Sequence, residues 1–156
     1  MFSIGLIISL LCMIIDQVIK IAVMGNLNVN QSIEVIDKFF SITYVENDGA
    51  AWSILSGGRI LLILISIVAI ILIYSYILKN KNMKKFEFFS YCVLIGGILG
   101  NLMDRIKFGF VVDYLDFKIF GYDFPIFNFA DICIVISVGL LLIYGIKEDI
   151  KCKKLK

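Results

Sequence analysis

Four blocks of almost unbroken apolar residues, at about 2–23, 60–78, 86–103 and 127–146, constrain this chain more than any other feature. Each approaches the ~20 residues that a helix needs to cross a ~30 Å hydrocarbon layer. At 156 residues, 60% hydrophobic and 18% charged, with a mean hydropathy of +0.96, the chain is too apolar for a soluble domain. The expected fold is a mainly α membrane protein, with four transmembrane helices and a small extracytoplasmic β platform. One polytopic domain would cover 1–156 and leave no room for a separate soluble domain. The first block has no basic stretch before it, and Leu11 is too bulky for the small residue a cleavage site needs. It is expected to stay as a transmembrane helix.

Lysine placement sets the orientation. Lys79, Lys81, Lys84 and Lys85 lie between the second and third blocks, and Lys147, Lys151, Lys153, Lys154 and Lys156 follow the fourth. Both regions, and so both termini, should be cytoplasmic. The net charge of +2 is then a topology signal and not a nucleic-acid footprint. Cys12, Cys92 and Cys133 sit inside apolar blocks and Cys152 in the lysine-rich tail, so all four are expected as free thiols. With no His and no paired cysteines, no metal site and no cofactor are expected. Any catalysis must rest on carboxylates, amides, hydroxyls, Lys or Arg.

The two outward connections, about 24–59 and 104–126, carry most of the acids. Over 33–45, Phe40, Ile42 and Tyr44 alternate with Ser41 and Thr43, which is a strand signal inside an outward β-rich loop of about 33–53. Asn47-Asp48-Gly49 closes it as a turn, and Trp52 follows at a position suited to the headgroup interface and to a lid. In the first block, Asp16 and Lys20 share a helical face. They form either a local ion pair that makes two charges tolerable in lipid or a pair that orients another group.

The stretch 96–131 gathers Asp104, Asp113, Asp116, Asp123 and Asp131, with Asn101, Arg105 and Asn128. Gly96 and Gly100 form a small-xxx-small pair suited to close helix packing. Asn101, Asp104 and Arg105 fall on one helical face, either as a polar cluster or as an interfacial ion pair capping a packing motif. Asp113 stands among apolar neighbours in a short turn and strand, as a buried carboxylate or as a surface loop residue. Pro125 rigidifies the entry to the fourth block, where Asn128 and Asp131 have N-cap and N3 spacing.

Sequence spacing does not bring Asp113 and Asp131 together. If the fold does, repulsion and desolvation would keep one protonated beside an ionised partner, the arrangement of an aspartic hydrolase. A small ion-coupled transporter would instead spread acids through the bundle depth and show internal repeats, and neither is seen. A Mg²⁺-dependent lipid transferase using Asp and Asn ligands remains chemically open and would be sensitive to a chelator.

The ordered set Asp16-Gln-Val-Ile-Lys20, Asn47-Asp-Gly49-Ala-Ala-Trp-Ser53, Gly96-Gly-Ile-Leu-Gly-Asn101-Leu-Met-Asp104-Arg105, Val112-Asp113-Tyr114 and Phe127-Asn128-Phe-Ala130-Asp131 resembles the bacterial lipoprotein signal peptidases, also called prolipoprotein or type II signal peptidases. The resemblance covers essentially the full length. It implies an aspartic endopeptidase of the bacterial cytoplasmic membrane, active near the outer leaflet. Such enzymes cut prolipoproteins just before a diacylglyceryl-modified cysteine and are the target of the cyclic peptide globomycin. Besides membrane lipids, no further partner is implied, and a monomer is expected. By motif, Asp113 and Asp131 would be the catalytic pair, while Asn101, Arg105 and Asn128, with Asn47 and Gly49, would bind substrate or inhibitor. Asp16, Lys20 and Asp104 match positions that support the site. Tyr114 and Trp52 stand where Phe is common, and Asp116 and Asp123 match no catalytic position and are expected as solvated loop acids.

Overall fold

The computed structural model describes residues 2–49, 55–80 and 82–154. Four helices dominate it: α1 Phe2–Asn26, α2 Arg59–Lys79, α3 Lys85–Lys107 and α4 Phe129–Lys154, of 25, 21, 23 and 26 residues. At ~1.5 Å per residue each is long enough to cross a bilayer. All four are also apolar enough, so the chain is a multi-pass membrane protein. The last helix starts two residues later than the apolar block, after Asn128, and carries the lysine-rich tail on as helix.

The helix α3 is the hub, the most buried of the four, with α1, α2 and α4 packed around it. Its glycines explain how. A Cβ at Gly96 would stand 2.6 Å from Cys12 Cβ, one at Gly97 2.6 Å from the Ala130 carbonyl, and one at Gly100 2.6 Å from an Asp16 carboxylate oxygen. Gly96 therefore seats α1, Gly97 seats α4, and Gly100 makes room for a charged group between them. The end of α3 is closed by Phe108, whose N–H donates to Asp104 O at 2.7 Å, and by Gly109 at φ 96°, which turns the chain toward the sheet. Arg59 caps the same end, donating from Nε to Arg105 O and from Nη2 to Ile106 O, both at 2.8 Å.

The β platform is a four-stranded antiparallel sheet in the order β1-β2-β3-β4: β1 Ser32–Ile36, β2 Phe40–Asn47, β3 Val111–Ile119 and β4 Tyr122–Asp123. The single extended stretch expected over 33–45 is a hairpin, broken where Lys38 takes a left-handed φ of 55°. Tyr44, Val112 and Tyr114 pack on Val23 and Leu27, docking the sheet on the C-terminal end of α1. The short strand expected near Asp113 is longer, because β3 pairs with β2 as far as Phe117. One expectation fails here. Asp116 is not a solvated loop acid but a residue of β3 opposite Ser41, half-buried and accepting from Thr43 Oγ1 at 2.7 Å. Asp123 is exposed on β4, 3.6 Å from Lys118.

Lys79 and Lys84 lie at the other end of the bundle, where Lys84 pairs with Glu148 of α4 at 2.6 Å. Lys81 and Lys156 lie outside the described residues, as does Trp52 with the lid expected there. The four thiols are free, with Cys92 and Cys133 buried and Cys152 exposed.

If helix contact at Gly97 sets the bundle, Gly97→Ala should lower unfolding stability in detergent by about 1–3 kcal/mol, because the added carbon meets backbone. Gly139, with open space around it, is the control: Gly139→Ala should leave stability unchanged or raise it by up to ~1 kcal/mol. Equal effects at the two positions would contradict the packing account.

Candidate active site

The site is built where β3, the start of α4 and the end of α3 converge. The segment before α4 returns along β3: the Tyr114 and Leu115 N–H groups donate to Phe127 O at 3.0 and 2.8 Å, and Phe127 N–H donates back to Leu115 O at 3.2 Å. That pairing sets Asn128, the next residue, beside Asp113. The Tyr114 hydroxyl accepts the Phe129 N–H at 3.1 Å, so the first turn of α4 is held to β3 as well.

Asp113 is buried between Val112 and Tyr114. One carboxylate oxygen accepts from Asn128 Nδ2 at 2.7 Å and the other from Asn47 Nδ2 at 2.8 Å. Burial, with the nearby charge of Asp131 adding to it, pushes the Asp113 carboxyl up to about 7. The donors Asn47 and Asn128 and the charge of Lys20 oppose that rise without cancelling it.

Asp131 and Asn128 form a reciprocal cap. The Asp131 N–H donates to Asn128 Oδ1 at 3.0 Å and the Asn128 N–H donates to Asp131 Oδ2 at 3.2 Å, with Asp in the place Glu or Gln usually takes. The bland reading of that spacing is therefore correct as far as it goes. The cap also fixes where Asp131 points, and its other oxygen accepts from Asn101 Nδ2 at 2.7 Å. Asn128, fully buried, thus touches both acids.

Below the acids lies Lys20, 1% exposed. Its ammonium reaches Asp16 at 2.9 Å, Asp104 at 2.7 Å and Asn101 Oδ1 at 2.9 Å, which uses all three of its protons. The two carboxylates are anchored in turn, Asp16 by the Ala130 N–H at 3.0 Å and Asp104 by the Val112 N–H at 3.1 Å. The Asp16–Lys20 pair is therefore both the local ion pair and the orienting group. Asp104 faces Lys20, whereas Arg105 donates to Gly49 O at 3.0 Å. The Asn47-Asp48-Gly49 turn is real, with the Gly49 N–H donating to Asn47 Oδ1 at 3.0 Å.

Asn47, Asn101, Arg105, Asp113 and Asp131 line a cavity of about 600 Å³ between α2, α3, α4 and the sheet. The rest of its lining is largely apolar, with Ile98, Ile132, Val135 and Phe127 among its residues. Two buried carboxylates lining a largely apolar cavity, one of them raised to about 7, can perform general acid and base chemistry on a bound carbonyl. All ten residues singled out in the sequence fall in this region. Two contributors were missed. Gln17, which donates to Asp104 Oδ1 at 2.7 Å and to Gly100 O at 3.2 Å, could have been suspected from its place beside Asp16. Arg59 gave no signal, standing after two glycines in a loop.

Comparison with known proteins agrees with this architecture. A family model described as signal peptidase (SPase) II matches residues 8–147. A lipoprotein signal peptidase of Halothermothrix orenii is 46% identical over 140 residues, covering 88% of this chain and 92% of that protein. One from Staphylococcus haemolyticus is 41% identical, covering 94% and 92%. A solved bacterial membrane enzyme superposes with a TM-score of 0.88 at 38% identity, over 94% of this chain and 90% of its own. With a family model spanning most of its length and relatives this similar, the chain belongs to the signal peptidase II family of peptidases.

Proposed function

We propose that this peptidase is an aspartic endopeptidase that removes signal peptides from prolipoproteins by cutting just before a diacylglyceryl-modified cysteine, with Asp113 and Asp131 as its catalytic pair. The observation that carries the reading is Asn128, which bonds to both acids lining a largely apolar cavity. An acid with its proton held up to about 7 suits the role of general acid, so Asp113 is assigned the proton and Asp131 the charge.

In the first step Asp131 takes a proton from water as the water oxygen attacks the scissile carbonyl carbon, and Asp113 gives its proton to the carbonyl oxygen. The product is a neutral gem-diol, with the charge moved from Asp131 to Asp113. In the second step Asp131 protonates the departing nitrogen, the C–N bond breaks, and Asp113 recovers a proton from one diol hydroxyl. No acyl-enzyme forms, and the pair returns to its starting state. Arg105, tied to Gly49, is placed to hold a backbone carbonyl near the cut, while Asn47, Asn101 and Asn128 keep the acids in position. The apolar lining accepts the lipid on the substrate cysteine, whose burial contributes ~0.8 kcal/mol per CH₂. Globomycin would compete for this cavity. The lysine-rich end of the bundle supports a topology with the termini in the cytoplasm and the site near the outer leaflet of the bacterial cytoplasmic membrane. The bundle would act as a monomer, without metal.

Cleavage of a diacylglyceryl-modified prolipoprotein by purified enzyme tests the pair. Wild type should cut in the presence of EDTA, while folded Asp113→Asn and Asp131→Asn should each lose at least about 100-fold in kcat. Near-normal activity in either folded variant would make that carboxylate structural, and loss of wild-type activity with the chelator would point to a metal. The pH profile is a second test. Asp113 carries its proton below about 7 and loses it above, so kcat/KM should fall as pH rises through that point. A profile flat from about pH 6 to 9 contradicts the assignment.

A further inference from the structure

An asparagine amide is ambiguous at both ends: rotated by half a turn, it offers a carbonyl where it offered an N–H. Asn101 and Asn128 stand against carboxylates, where the wrong end would set oxygen against oxygen. Something must hold them the right way round. The only full positive charge bonded to either amide side chain among the described residues is Lys20.

We infer that Lys20 is a positioning residue that locks the Asn101 amide with its oxygen toward the ammonium, and through it the Asn128 amide, so that only N–H donors face Asp131 and Asp113. The inference rests on the reading of those two acids as the catalytic pair. Lys20 Nζ lies 2.9 Å from Asn101 Oδ1, and an ammonium has donors but no acceptor, so the amide cannot present its NH₂ there. The NH₂ is therefore turned to Asp131 Oδ1, at 2.7 Å. The same Asn101 oxygen also accepts from Asn128 Nδ2 at 3.2 Å, which aims that NH₂ jointly at Asp113 Oδ1, at 2.7 Å. The Asp131 N–H at 3.0 Å holds the opposite end of Asn128, its Oδ1, away from Asp113. Lys20 is itself fixed, because Asp16 and Asp104 take its other two protons and both are buried. A chain of donors thus runs from one lysine to both acids.

The lock predicts more than a loss of stability. Removing Lys20 alone strands two buried carboxylates, so the informative variant is Lys20→Met/Asp104→Asn, which removes one charge of each sign and keeps the net charge of the cluster. It should fold with a KM within about threefold of wild type, yet lose on the order of 100-fold in kcat, as misoriented catalytic groups do. Its kcat/KM profile should move to higher pH by about one unit, since carboxylates deprived of donors hold their protons more tightly. Restoring the lysine alone, in Asp104→Asn, should bring back most of kcat and the original profile. Folded Asp113→Asn and Asp131→Asn are measured alongside. If those two are inactive while the double variant keeps wild-type kcat and pH profile, the lock is wrong and the catalytic pair stands. Activity in either Asp→Asn variant removes the pair, and the lock with it. Should the double variant not fold, NMR of ¹⁵N-asparagine-labelled wild type decides. The Asn101 side-chain protons must be resolved and slow to exchange with deuterated solvent, and fast exchange there overturns the lock.

Discussion

A lysine ammonium buried among hydrocarbon is the interaction on which the rest of this structure depends. Unpaired, such a charge costs several kcal/mol or more, and pairing recovers that cost only if every proton is satisfied. Here Asp16, Asp104 and Asn101 take all three protons of Lys20, and each carboxylate is bonded in turn to a backbone N–H, one at Ala130 and one at Val112. The cluster therefore ties α1 to α3, α3 to β3 and α1 to the first turn of α4. Those are the elements that present the two candidate acids. The glycines of α3 make this possible, since any side chain at Gly100 would occupy the place of the Asp16 carboxylate.

Above that anchor the site follows a simple rule: each acid is held by amide or backbone donors and, among the described residues, by no direct salt bridge. Asp113 takes two side-chain amides, and Asp131 takes one amide and the N–H that its own cap supplies. Neutral donors steady a carboxylate without fixing it in the charged form as strongly as a cation would. That leaves Asp113 free to hold a proton near neutrality, which burial favours.

Much of this was legible in the sequence, for identifiable reasons. The four helices followed from block length against bilayer thickness, and the Asp16–Lys20 pair from helical spacing. The platform was legible as β from Phe40, Ile42 and Tyr44, but not as a hairpin. Its turn is made by Asp37-Lys38-Phe39 without glycine or proline, and Lys38 adopts a left-handed conformation that its residue type does not announce. Asp116 matches no catalytic position and so reads as a solvated loop acid, yet it lies in β3, where the Thr43 hydroxyl across the sheet satisfies it. The convergence of Asp113 and Asp131 was not readable from spacing, because it depends on the backbone pairing of Phe127 with Tyr114 and Leu115. The local motifs carry both of the roles read for them: the Asn47 turn and the Asn128–Asp131 cap are ordinary backbone devices that also aim side chains.

The central claim is that burial and a neighbouring acid raise the Asp113 carboxyl to about 7, so that it holds a proton up to the neutral range. Infrared difference spectroscopy of the folded enzyme, titrated with pH and with the Asp113 carbonyl band assigned from Asp113→Asn, measures this directly. The account predicts a protonated-carboxyl band that disappears with a midpoint near 7 and whose midpoint falls in Asp131→Asn, where the repelling charge is gone. A wild-type Asp113 already ionised well below neutrality, or a midpoint that does not move in Asp131→Asn, would contradict it.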